Sequence, residues 1–186
     1  MKLPRYTRRL ASLLLVGIIT SYWGFTGDSD LTQSSLQTQA DQIDTYIHGA
    51  EIRQFDRRGE LSRQLQARKI EHHTLSASSH FTQPRLTLQR PQGSPLLITA
   101  REAVSSDNNQ LIELRREVEI TPQTDQPTRF STEQLFFEPA VNFAWTGEPV
   151  AYYRGTNTTL ATGMNAYFNQ DRVELLNRVR GHYEPN

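Results

Sequence analysis

Residues 173–183 read VELLNRVRGHY, a stretch in which apolar and polar side chains alternate. Successive side chains of a β-strand point to opposite faces of a sheet, so the alternation predicts a strand with one apolar face. The opposite face carries charged side chains and a histidine. The side chains predicted to face inward are Val173, Leu175, Val179 and Tyr183.

The same alternation recurs in earlier parts of the chain, between proline and glycine residues that mark turns. Residues 46–55 and 60–70 flank the turn sequence DRRG, which predicts a β-hairpin. The predicted domain is therefore mainly β, with antiparallel strands and one apolar face. Its further predicted inward positions are Ile112, Leu114, Val118 and Ile120, then Phe143 and Trp145, and in the first strand Tyr46, Ala50 and Ile52.

A weak internal repeat runs through the domain. Similar four-residue blocks begin at Ala67, Ala100, Thr132 and Gly163, which are 33, 32 and 31 residues apart. A period near thirty residues with two strands per unit predicts stacked β-hairpins that bury an apolar face only against their neighbours. An ordinary meander of similar strands would also give an approximate period, so this alternative stays open.

The N-terminus has the pattern of a membrane anchor. Residues 10–27 form an uncharged run of eighteen, preceded by four basic side chains. Such a helix would span roughly 27 Å, just enough for a bilayer core, and the positive-inside rule places its start in the cytoplasm. A cleaved signal peptide is the alternative, but small residues suited to cleavage do not follow the run. The prediction is therefore a cytoplasmic tip and transmembrane helix over residues 1–27, a polar periplasmic tether over 28–42 and a β-domain over 43–186.

Composition excludes several kinds of function. Cysteine is absent, and beyond the four N-terminal basic residues 16 basic side chains face 20 acidic ones, a charge of −4. That balance argues against nucleic acid as a partner, because phosphate binding needs a clustered positive field. The sequence contains no nucleotide-binding or hydrolase motif, and its histidines lack metal-ligand spacing. We therefore expect no enzyme, no cofactor and no metal site.

Four short segments, in this order along nearly the whole chain, resemble the LptC family of lipopolysaccharide export proteins. They are FDRRG at 55–59, FTQP at 81–84, LATGM at 160–164 and RVRGHYEP at 178–185. The resemblance implies a single N-terminal transmembrane helix followed by a twisted, open β-jellyroll. It further implies a single-pass protein of the bacterial inner membrane, with its N-terminus cytoplasmic and its C-terminal domain periplasmic.

The resemblance also implies a function. In that family an ATP-driven permease, LptB with LptF and LptG, extracts lipopolysaccharide from the inner membrane, and LptC passes it to the bridge protein LptA. It implies contact with the permease through the transmembrane helix and the N-terminal edge, around Tyr46 and Ile52. Contact with LptA would use the C-terminal edge, around Leu175 and Val179.

We expect six side chains on the predicted apolar face to line the lipid path, since acyl chains need an apolar groove. They are Ala50, Phe81, Phe143, Trp145, Val173 and Tyr183. The alternative for each position is an ordinary dry core. A protein-binding scaffold tethered to the membrane would show the same pattern, whereas a carbohydrate-processing enzyme would need a pair of carboxylates that the sequence does not indicate.

Overall fold

The computed structural model describes residues 43–90, 93–106, 110–125 and 128–183. Within them, eleven antiparallel strands form one sheet, which confirms the predicted mainly β domain. A short 3₁₀ helix, Phe168–Gln170, precedes the last strand. The strands are β1 (Ile43–Phe55), β2 (Leu61–His73), β3 (Ser78–Thr82), β4 (Arg85–Leu88), β5 (Leu96–Thr99), β6 (Glu102–Ser105), β7 (Ile112–Pro122), β8 (Thr128–Glu138), β9 (Phe143–Arg154), β10 (Asn157–Tyr167) and β11 (Arg172–His182).

The sheet is a meander. β3 and β4 both pair with β2 and are two parts of one long strand, and β5 and β6 likewise both pair with β7. When each of these pairs is counted as one strand, every strand lies beside its neighbours in sequence. β1 and β11 are consequently the two edges of the described sheet, each paired on one side.

The sequence repeat corresponds to a band of backbone irregularities across the middle of the strands, here called the seam. The four repeat blocks lie on alternate long strands, one block on each. The first and fourth residues of every block are apolar or small, and both are buried although they are three residues apart. Two inward side chains at that spacing require a change of phase, which β-bulges and residues with positive φ supply. The positive φ angles along the seam are at Gly49, Gln83, Arg116, Glu117, Gly163 and Arg178.

The apolar face forms a packed core. One row of cross-strand partners runs through Leu65, Leu86, Ile98, Ile120 and Phe130. Several side chains elsewhere on this face have no more than 2% of their surface exposed, and burying each stabilises the fold by about 1.5–3 kcal/mol. These are Phe137, Leu88, Leu114, Leu135, Met164 and Val118.

Two contacts distant in sequence show that the sheet curls over its own apolar face. Arg63 on β2 donates from Nη2 to the carbonyl oxygen of Pro139, 76 residues later, at 2.5 Å. Arg90, just after β4, forms an ion pair with Asp171, 81 residues later. The second half of the sheet therefore packs across the first half and encloses the core.

The glycine in the fourth block permits a close approach at the seam. Gly163 has a φ of 82°, and a Cβ added there would lie 3.1 Å from Cδ1 of Leu176. We expect Gly163→Ala to lower the free energy of unfolding by about 2 kcal/mol, because both the backbone and Leu176 would be strained. Urea unfolding of the full chain in detergent measures this, with Gly147→Ala as the control. Gly147 has no atom within 4 Å of its added Cβ, so equal losses for the two variants would contradict the prediction.

Candidate functional site

A cavity of about 390 Å³ opens on the apolar side of the sheet, and it is here called the apolar cavity. Strands from both halves of the sheet contribute to it. The rings of Phe130 and Tyr152 stack in its wall with centroids 4.5 Å apart. The other apolar side chains of the wall include Leu96, Ile120, Met164, Val173 and Leu175.

Charged side chains lie around the same cavity. Arg90 donates from Nε to the carbonyl oxygen of Ser94 at 2.6 Å and forms an ion pair with Asp171. The guanidinium of Arg172, by contrast, lies on the outer face of the sheet, 4.2 Å from the ring centroid of Tyr167. An apolar wall with charged groups at its opening is suited to an amphiphile, whose apolar part leaves water while its polar part stays hydrated.

Of the predicted lipid-path residues, the structure brings Val173 to this cavity, together with the predicted edge residue Leu175. They pair with Ala166 and Met164, both fully buried, which places them on the inner face. Val173 retains 39% exposure, so it lies at the margin between core and solvent.

Two other predicted positions lie elsewhere on the inner face. Ala50 is half-buried and pairs with the buried Ala67. It borders a second depression, of about 510 Å³, at the seam near Pro84 and Ala100. Phe81 has 6% exposure and belongs to the packed core.

The prediction that Phe143 and Trp145 face inward is wrong. Ala144, between them, is fully buried and pairs with the fully buried Phe137. Trp145 instead stacks on the outer face, with ring centroids 5.5 Å from Phe136 and 5.4 Å from Phe143. The half-buried aromatic rings thus cover the outside of the sheet, and a small alanine fits the closely packed interior. The lipid contacts predicted for Phe143 and Trp145 required both side chains to lie on the inner face.

The phase predicted for the first strand is also corrected. Tyr46 was expected in phase with the inward Ala50 and Ile52, yet it pairs with Glu71 on the outer face. Gly49, at a φ of 63°, changes the phase between them. Tyr46 has 66% exposure on the outer face, and Ile52 has 49% on the inner face. The inward β1 side chains pair with β2 as follows: Ile47 with Ile70, Ala50 with Ala67, and Ile52 with Leu65.

The C-terminal end of β11 departs from simple alternation too. Arg178 has a φ of 51°, and the register with β10 shifts there by one residue. Val179 follows this bulge and is 51% exposed. Tyr183 lies just past the strand with 69% exposure, and its ring covers Gly181. Both side chains lie at an open edge, outside the apolar cavity.

The carboxylates of the middle strands are held in ion pairs with arginines. Arg101 binds Glu117 through two hydrogen bonds of 2.7 and 3.1 Å. These bonds lower the pKa of the Glu117 carboxyl, and bonds from Arg115 lower that of Glu113 in the same way. A general acid needs a pKa raised towards neutrality, so these two carboxyls are suited to ion pairing and not to proton transfer.

Two further observations concern only the part of the chain that the structure describes. No group of three or more His, Asp or Glu side chains there could hold a metal ion. No helix there is both long and apolar enough to cross a bilayer. The predicted anchor at residues 1–27 and the tether at 28–42 lie outside the described residues.

Comparison with known proteins identifies the family. The family model described as lipopolysaccharide-assembly, LptC-related, matches residues 11–184. None of the curated proteins matches the chain. A crystal structure of LptH from Pseudomonas aeruginosa, an LptA-homologous periplasmic component of a lipopolysaccharide transport device, is similar in fold, with a TM-score of 0.50 and 11% identity over 66% of this chain and 95% of that one. The match over residues 11–184 shows that the chain belongs to the LptC-related family of lipopolysaccharide-assembly proteins.

Proposed function

We propose that this protein is a non-enzymatic link in lipopolysaccharide transport, which receives the lipid from the inner-membrane permease LptB–LptF–LptG and passes it to LptA. The observation that carries the proposal is the apolar cavity, which opens beside the edge strand β11 and has charged side chains at its mouth. Its chemistry matches a ligand with acyl chains and an anionic headgroup, and the family assignment supports the same substrate.

The energetics favour binding of acyl chains in this cavity. Each methylene group that leaves water contributes about 0.8 kcal/mol, so a few buried methylenes offset the cost of immobilising the chain. The volume of about 390 Å³ suits part of one lipid molecule. The remainder of the lipid would stay outside, so a modest contact area would hold the lipid and still allow its release.

The two edge strands supply surfaces for the neighbouring proteins. An edge strand presents unpaired backbone N–H and C=O groups, which another strand can complete by β-augmentation. β1 would meet LptF and β11 would meet LptA, so that the three apolar interiors join. Residues 1–27 would anchor the chain as a single-pass protein beside the permease, with the N-terminus cytoplasmic and the β-domain periplasmic.

The test is photo-crosslinking in living cells, with the probe at Val173. We expect lipopolysaccharide adducts at Val173 that depend on ATP hydrolysis by the permease, because this side chain borders the apolar cavity. Glu174 is the matched control: it is the next residue on β11 and pairs with Asn165 on the other face, so we expect no adduct there.

The same experiment separates lipid transport from a protein-only scaffold. Probes at Leu175 and Ala50 extend it to a second cavity position and to the seam. Adducts with proteins alone, at all three positions in a folded and membrane-bound chain, would contradict the transport proposal and favour the scaffold.

A further inference from the structure

We infer that Arg90 forms a binding site for the phosphate group of an amphiphile at the mouth of the apolar cavity, and that Asp171 occupies this site until a phosphate displaces it. The inference deepens the proposed function and rests on it, since it assigns the headgroup contact of the same lipid. Its basis is the placement of a buried arginine and an exchangeable carboxylate beside the apolar cavity.

Arg90 is the fixed part of the site. Only 14% of its side chain is exposed, and its Nε is held by the carbonyl oxygen of Ser94 at 2.6 Å. This anchoring orients the planar guanidinium before any ligand arrives. A guanidinium has five N–H donors, arranged as a fork that matches two oxygens of a phosphate. The guanidinium of Arg90 is therefore oriented to bind a phosphate in place of its present carboxylate partner.

Asp171 is the exchangeable part. It lies in the turn between the 3₁₀ helix and β11, with a φ of 49°, and its side chain is 45% exposed. An exposed carboxylate on a turn can leave its partner and be hydrated at little cost. A phosphate monoester carries about −1.5 to −2 charges and three acceptor oxygens, so it competes well against a single carboxylate.

Arg172 is not part of this site. Its guanidinium lies on the outer face of the sheet, over the ring of Tyr167 and 3.6 Å from a carboxylate oxygen of Glu174. Arg90 and Asp171, in contrast, both border the apolar cavity with their ion-paired side chains. A ligand with both acyl chains and a phosphate group therefore contacts both the apolar cavity and the arginine. A neutral lipid makes only the first kind of contact, and free phosphate makes only the second.

The test measures binding of two lipids to the full-length chain in detergent micelles: lipid A with its phosphates, and the same lipid after phosphatase treatment. We expect the phosphorylated form to bind about tenfold more tightly to the unaltered protein. Arg90→Gln should remove this preference without weakening the dephosphorylated lipid. Asp171→Asn should strengthen binding of the phosphorylated form severalfold, because the competing charge is gone. Arg101→Gln is the control, since Arg101 is also paired with a carboxylate, Glu117, but does not border the cavity.

Each contrary result has a distinct meaning. Equal affinity of the unaltered protein for the two lipids, or equal weakening of both by Arg90→Gln, would overturn the phosphate site and leave lipid binding intact. If inorganic phosphate at a concentration equal to that of the lipid displaces all of the phosphorylated lipid, the ligand is not an amphiphile, and the site is one for free phosphate. Absence of binding by both lipids would overturn the proposed function and the site with it. If Arg90→Gln does not fold, Asp171→Asn still decides, and unchanged affinity in that variant overturns the inference.

Discussion

Val173→Arg is expected to reduce capture of lipopolysaccharide by at least tenfold while the β-domain still folds. Val173 borders the apolar cavity and pairs with the fully buried Ala166, so a guanidinium placed there enters the space that an acyl chain would use. The residue is 39% exposed, and an arginine can bend its charged end towards water, so the free energy of unfolding should change by less than about 1 kcal/mol. Capture is measured by the amount of lipopolysaccharide that copurifies with the full chain and its permease.

Glu174→Arg is the matched control for this experiment. It introduces the same side chain one residue later on β11, on the face opposite the cavity, so capture should be unchanged. Unchanged capture in Val173→Arg would show that the lipid path lies elsewhere on the sheet. Loss of the β-sheet circular dichroism signal in Val173→Arg would instead assign this position to the core.

The sequence was sufficient to predict a mainly β domain of antiparallel strands because two of its features are physically strong. Alternation over residues 173–183 correctly predicted an antiparallel strand, and the repeat beginning at Ala67 marks where the strands bend. Bulges are costly to sheet hydrogen bonding, so they occur at defined positions and leave a regular trace in the spacing of buried residues.

The facing of individual side chains was less predictable, because each bulge reverses the alternation beyond it. Gly49 and Arg178 both adopt positive φ, and the residues on either side of them follow different phases. Hydrophobicity was also misleading at residues 143–145: the aromatic side chains cover the outer face, while Ala144 fits the core. In β1, the spacing of three between the inward Ile47 and Ala50 was the feature that could have corrected the assignment.

The cavity itself was not predictable from the sequence. Phe130 and Tyr152 stack in its wall because β8 and β9 pair in one register, and Val173 joins them only when the sheet curls over its apolar face. Arg90 and Asp171 are 81 residues apart and meet through the same curling. Tertiary packing of this kind has no local sequence pattern, so the structure alone assigns these residues to one site.

Removal of residues 173–186 is expected to abolish capture of LptA by the full-length chain. β11 is an edge of the described sheet, paired with β10 on one side, and its free side is the surface proposed for LptA. Pull-down with purified LptA measures the effect, which should exceed a hundredfold because an edge strand supplies most of the backbone hydrogen bonds in β-augmentation. The deletion also uncovers Met164 and Ala166, so loss of capture must be separated from loss of folding.

A photo-crosslinker at Val179 makes that separation, because it leaves the whole sheet in place. Val179 is 51% exposed on β11, and Leu160 is 52% exposed on the adjacent strand β10. Strands lie about 4.8 Å apart, so a partner strand added to β11 would contact Val179 and lie one strand further from Leu160. We therefore expect LptA adducts at Val179 and few at Leu160. Ile52, 49% exposed on β1, should crosslink to LptF instead. Adducts of LptA at Ile52 and none at Val179 would reverse the proposed polarity of the bridge, since lipid would then have to leave through the edge assigned to its entry.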